Sequence, residues 1–310
     1  VTVAALVPFA ATLLLAGLGA PAGRRLPPAV ATRLLTVACL TTALATGFVL
    51  AVAGFVLLAQ LPAFVAAGHW SIAVVRGDDP LPASTGLVPA AVVIVLLAAA
   101  AFRAVGIGRD LAVAERACRR LGPAAAGLVV VDDEHPDAYA LPGLSGRIVV
   151  STAMLRALPP DERRVLLAHE GSHLRHRHHV YTQLVDLAAT ANPLLRRPAG
   201  AVRLAAERWA DEDAAASTGD RVIAARALAR AGLARAAARP DPRAAGVLTA
   251  TDTDLAHRTR ALLAPAPGPH RITAAALIAL IALTAVAAVD TAHRTERRFE
   301  HARAAYLHSR

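Results

Sequence analysis

Three residues in one short segment have the types and spacing for metal chemistry. The run "LLAHEGSHLRHRHH" sets His169, Glu170 and His173 in an H-E-x-x-H pattern. On a helix, residues four apart lie one turn apart on one face, so both imidazoles can reach one ion. The glutamate beside the first histidine projects to one side of that seam. There it can hold an attacking water without being a ligand. An apolar helical turn ordinarily excludes ionised carboxylates and imidazoles, and a cation would compensate for them.

A catalytic zinc usually takes three protein ligands and keeps a fourth position open. Downstream, "ERWADEDAA" offers Glu207 and, one turn on, Asp211. The acids at 207, 211, 212 and 213 could also form a solvated helix face. Behind a helical H-E-x-x-H they are read jointly with it as a zinc site. Glu207 is then the third ligand, and Asp211 reaches a ring N–H of a ligand histidine, which fixes the tautomer. His176 lies two turns from His169, roughly 10 Å along the axis, too far to share the ion with both motif histidines. His178 and His179 read as the solvated basic end of the helix, favoured near its negative dipole end.

The elements that must position these residues lie in an unusually apolar chain. It has 310 residues, 55% of them hydrophobic and 18% charged; soluble domains are nearer a quarter charged. Residues 1–23, 34–75 (His69 aside), 80–102 and 272–289 carry no charge. A bilayer core needs about 20 apolar residues of helix, so spans are expected near 3–20, 34–60, 85–102 and 272–289. The first lacks a positively charged leader and is expected to be an anchor, not a cleaved signal. Segment 61–75 could dip into the bilayer, but Pro62, Gly68 and His69 argue against a full span.

The net charge is +10, with no lysine. Positive charge beside spans marks cytoplasmic flanks, so the lipid bilayer is the expected partner and no direct nucleic-acid contact is expected. Arginines near the span ends place loop 21–33 and the domain before the fourth span in the cytoplasm. Arg294, Arg297, Arg298 and Arg303 point the other way. Cys39 and Cys118 supply no disulfide framework.

Between the third and fourth spans, a helix over 108–122 is expected to stop at Gly122-Pro123. Short β-like runs follow at 127–131, 137–141 and 147–150, separated by turn signals. Ser151 or Thr152 can cap a short helix, and Asp161 is expected to cap the helix carrying H-E-x-x-H. Helices are expected over 180–191, around "ERWADEDAA", and from Asp220 onward. The division is then 1–105 for three spans with loops, 106–239 for a zinc metallopeptidase domain, 240–271 for a linker, 272–289 for the fourth span, and 290–310 for a short tail. The expected fold is a mainly α membrane protein with four transmembrane helices and a cytosolic α+β, zincin-like domain.

The segments "LLAHEGSHLRHRHH", "ANPLLRRP" and "ERWADEDAA", with the distance between the two zinc motifs, resemble the BlaR/MecR family of integral-membrane zinc metallopeptidases. That family has three spans, a cytosolic gluzincin domain and a fourth span in the same order. The HtpX type of membrane metallopeptidase shares both motifs, generally with a longer separation. The resemblance implies a zinc endopeptidase with one Zn²⁺ per chain, in which Glu170 takes a proton from zinc-bound water and passes it to the leaving amine. It also implies that "DAYAL" is the edge strand that holds substrate, with Tyr139 and Ala140 as contacts. A cytosolic transcriptional repressor is the implied protein substrate. Membrane-protein quality control is the alternative role, and a catalytically inactive zinc-binding scaffold is the alternative class. Residues after Ala288 contain no S-x-x-K acylation motif, so a penicillin-binding sensor domain is not expected. Gly171, where a larger apolar residue is usual, weakens its helix by up to about 1 kcal/mol.

Overall fold

The computed structural model describes residues 3–77, 83–121, 127–144, 146–238, 245–266 and 268–308. The expected stop at Gly122-Pro123 lies outside them. The charge-free runs are helical because a segment without water must satisfy its backbone groups internally. α1 (Val3–Arg25) and α2 (Pro28–Leu58) form a hairpin, with Pro28 at the first turn of α2, where no intrahelical N–H bond is lost. Two short helices follow, α3 (Pro62–Gly68) and α4 (Ile72–Arg76). α5 (Leu87–Arg120) merges the third span with the helix expected over 108–122. Its first half exposes Val88, Ile94, Val95, Leu97 and Phe102, as a helix facing lipid would.

Three short strands come next: β1 (Leu128–Val131), β2 (Ala138–Leu141) and β3 (Arg147–Ser151). Their order is β1-β3-β2, with β1 parallel and β2 antiparallel to β3, and Tyr139 opposite Val149. β2 is therefore an edge strand. Ser151 caps α6 (Thr152–Ala157) by accepting from the Met154 N–H at 3.0 Å. α7 (Pro160–Arg175) begins on Pro159, so Asp161 is not its cap. Pro160 has no N–H to satisfy, which lets the helix start earlier and leaves Asp161 and Glu162 in its first turn, where the dipole favours them. Arg177, at φ 52°, breaks the chain before α8 (His178–Ala191).

α9 (Arg196–Thr218) ends on a left-handed Gly219, and Asp220 caps α10 (Arg221–Ala237) through the N–H groups of Val222 and Ile223. Residues 240–271 are not simply a linker: they contain α11 (Ala245–Leu263), packed on α9 and α10. Arg221 anchors it by donating to the carbonyls of Ala261 and Leu262. α12 (Arg271–His308) is one helix through the fourth span and the expected tail. α1, α2, α5 and α12 are each long and apolar enough to cross a membrane. The tail half of α12 packs Phe299 and Ala302 on Trp70 and Val75, while Ser71 N–H donates to the Ala302 carbonyl at 2.9 Å.

The α8–α9 hairpin enters the helical bundle instead of sitting on it. Val185, Ala188, Leu195, Ala199 and Val202 share one core with Leu15, Leu35, Cys39 and Leu277. At its tip Asn192 Nδ2 donates to Thr12 Oγ1 at 3.0 Å, and Thr12 meets Thr46 at 3.3 Å. Thr12 lies about 20 Å along α1 from Arg25. The interior partners satisfy Asn192 where lipid could not. Gly19 permits the approach: a Cβ there would lie 3.0 Å from the Cβ of Pro198.

Candidate metal centre

α7 and α9 run against each other and build the centre between them. From α7, the Nε2 atoms of His169 and His173 lie 3.1 Å apart. From α9, Glu207 brings one carboxylate oxygen to 3.6 Å from His169 Nε2 and the other to 3.5 Å from His173 Nε2. One donor atom from each residue fits within a 4.8 Å cluster. Two imidazole nitrogens this close cannot both point protons into the gap. A cation between them satisfies both lone pairs, and two nitrogens with one carboxylate are a donor set that suits zinc. The Glu207 side chain is 39% exposed, so the cluster opens to the surface.

The surrounding groups hold these donors. Asp211 Oδ1 lies 3.0 Å from His169 Nδ1. Sequence spacing pointed to this carboxylate; it does not show what holds it. Arg258 of α11 forms a fork with Asp211, at 2.8 and 2.7 Å, and a third contact with Glu207 at 2.9 Å. This residue, from the segment expected as a linker, is mostly enclosed in the site. Nothing local to "LAHRTRAL" announces it.

His178 also departs from expectation. It is 2% exposed, and its Nδ1 lies 3.0 Å from His173 Nδ1. The break at Arg177 turns it back into the core, away from the solvated helix end. His176 stays out of the metal cluster: it pairs with Asp213 at 2.8 Å and stacks on Trp209. The rest of the acidic run is structural, because Asp213 also accepts from Ser172 at 2.7 Å and Glu212 binds Arg221.

Glu170 is 7% exposed and lies outside the ligand cluster. Burial pushes its carboxyl up, against the pull of cationic His169 and a hydrogen bond from the Ala140 N–H. That bond ties the edge strand to the acid–base group. Burial lowers His169, but hydrogen bonds to Asp211 and Glu207 outweigh it and lift the ring to about 10 in the metal-free chain. His173 falls to about 4, chiefly by burial. Glu207 and Asp211 are held low, because His169 and Arg258 outweigh the burial that would raise them.

A cavity of about 240 Å³ opens beside the cluster, bounded by Tyr139, Glu170, Leu228, Arg235 and Leu262. Tyr139 presents a half-exposed side chain to it. Arg235 holds the strand edge by donating to the Ala138 carbonyl at 2.5 Å. Ala140 faces the opposite side of the centre, with His178 and Thr182.

A helical His-Glu-x-x-His, a carboxylate from a second helix and a neighbouring strand edge together define a metallopeptidase. The chain matches peptidase family M48 over residues 109–287, more than half its length, and belongs to that family. No curated protein and no solved structure matches it.

Proposed function

We propose that this protein is a zinc endopeptidase embedded in the membrane, with its site on the cytoplasmic side and a transcriptional repressor as its substrate. One observation carries the enzymatic reading. The donors of His169, His173 and Glu207 converge beside a buried Glu170 that is not one of them, next to a strand edge. Zn²⁺ bound by those three residues would supply Lewis acidity toward the scissile carbonyl and a lowered pKa for the attacking water.

The chain's own residues do the rest. An extended peptide added at the outer edge of β2 would take over the Ala138 carbonyl from Arg235 and the Ala140 N–H from Glu170, with little demand on its sequence. Tyr139 lines the trough in which that peptide lies. Glu170, raised by burial, accepts the proton of the attacking water and delivers it to the leaving amine. Asp211 and Arg258 keep His169 and Glu207 aimed while the peptide is turned over. The signalling reading draws support from α9. Trp209, between Glu207 and Asp211, lies under the Arg33 guanidinium of α2 at 4.6 Å. Movement of a span therefore reaches the ligand helix directly. Turnover of membrane proteins would use the same chemistry on other substrates.

The test measures zinc and peptide cleavage on the same preparations. The parent should hold about one zinc per chain. Glu170→Gln should keep the metal and lose about 100-fold or more in rate. Glu207→Ala should lose both. A Glu170→Gln protein as fast as the parent refutes the proton-transfer role, and a parent that cleaves no protein favours the scaffold. Orientation is tested by an impermeant maleimide on whole cells, which should label Ala66→Cys and spare Ala216→Cys.

A further inference from the structure

A second cavity, of about 360 Å³, lies between the end of α1 and α9. Three arginines line it: Arg24 from the last turn of α1, and Arg197 and Arg208 from α9. Asp254 of α11 is the one acid on its wall among the described residues. Ala20, Gly23, Gly200 and Ala201 line it with almost no side-chain bulk.

Arg208 is the informative residue. It is 7% exposed, yet no carboxylate lies within ion-pair distance among the described residues. Its Nη1 reaches only the Gly23 and Arg24 carbonyls, at 3.4 and 3.5 Å. Those carbonyls belong to the end of α1, whose last turn leaves acceptors open. They orient the guanidinium but do not neutralise it. The nearest acids are already engaged, Glu212 by Arg221 and Asp211 by Arg258. A buried arginine with no described carboxylate at ion-pair distance is costly unless an anion completes it. Arg24 and Arg197 likewise show no ion pair among the described residues.

We infer that this cavity binds a phosphate anion, held by Arg24, Arg197 and Arg208. Guanidinium forks match phosphate oxygens in pairs, and the small walls leave room for the group. The position favours a phospholipid headgroup as the source. α9 meets α1 at Gly19, beside Arg197 and a little over a turn before Arg24, so the cavity sits at the end of a candidate span, the level expected for headgroups. Basic pockets between spans at that level are suited to anionic lipids. The site is independent of the peptidase reading.

The test uses the full chain, purified in detergent and stripped of lipid, with native mass spectrometry as the readout. The probes are phosphatidylglycerol, phosphatidylcholine and glycerol 3-phosphate. Phosphatidylglycerol should be retained in preference to phosphatidylcholine. The double variant Arg24→Ala/Arg197→Ala, at exposed positions, should weaken phosphatidylglycerol about 30-fold, from roughly 1 kcal/mol per arginine. Arg208→Gln should weaken it as well, and the double variant keeps the question open to refutation if Arg208→Gln does not fold. Arginine-dependent binding of glycerol 3-phosphate without a lipid preference supports the phosphate chemistry and assigns a soluble source. Equal retention of both lipids with no glycerol 3-phosphate bound overturns the inference. So does a phosphatidylglycerol preference that survives the double variant.

Discussion

His178 brings its Nδ1 to within 3.0 Å of the Nδ1 of His173, although the two lie on different helices. One of the two nitrogens must carry the proton. For His173 to keep the Nε2 lone pair that faces His169 and Glu207, the proton belongs on its own Nδ1, and His178 accepts it. Burial pushes His178 down to about 3, so the ring is neutral and able to accept. His178→Ala should weaken zinc binding by about 10–100-fold, while His179→Ala should leave it unchanged. Chelator competition on the two variants decides the matter. Equal affinities would remove His178 from the site.

Arg258 offsets two carboxylates at once, Glu207 and Asp211. Removing one partner of a buried pair costs about 3–5 kcal/mol. Because a bound metal also offsets Glu207, the loss should be larger without it. Arg258→Gln should therefore lower Tm, and chelation should lower it further in the variant than in the parent. Arg258→Lys should recover part of the loss, since it restores the charge without the fork. An Arg258→Gln protein that melts with the parent would contradict the assignment.

Zinc uptake should release a proton. His169 stays protonated up to about pH 10 in the metal-free chain, because its bonds to Asp211 and Glu207 outweigh burial. His173, lowered mainly by burial to about 4, is already neutral at physiological pH. Zinc then displaces one proton, from His169, and affinity should rise about tenfold per pH unit between about pH 6 and 8. Calorimetry in buffers of different ionisation enthalpy should count about one proton released. A count of zero would mean that His169 is neutral before the metal arrives.

Gly171→Ala should stabilise the protein by about 0.5–1 kcal/mol. A Cβ at this helical position would meet only Ile148 Cδ1, at 3.8 Å, an ordinary contact. Thermal melting checks the sign, and a fall in Tm would mean that the space serves another purpose.

The parts of this protein legible in its sequence are those governed by neighbours along the chain. Charge-free runs must become helices wherever water is absent, so all four were legible as helices, although α5 and α12 run on to Arg120 and His308, well past the expected ends. A spacing of four puts His169 over His173, and likewise Glu207 over Asp211, whatever surrounds them. The Ser151 cap is equally local. Other features depend on which helix packs beside which, and only the tertiary structure decided them. Arg258 meets Asp211 across 47 positions, and its segment read as a linker because Pro, Ala and Asp dominate around it. His178 read as solvent-facing because the helix seemed to run on. A left-handed Arg177 ends α7 and turns His178 inward. The α8–α9 hairpin belongs to the segment 106–239, expected as a cytosolic domain. Its tip residue Asn192 is partnered by Thr12 of α1, 180 positions away in sequence and itself in contact with Thr46 of α2. Periodicity and desolvation act over a turn or two of chain. Charge compensation acts through space, so no local pattern could reveal it.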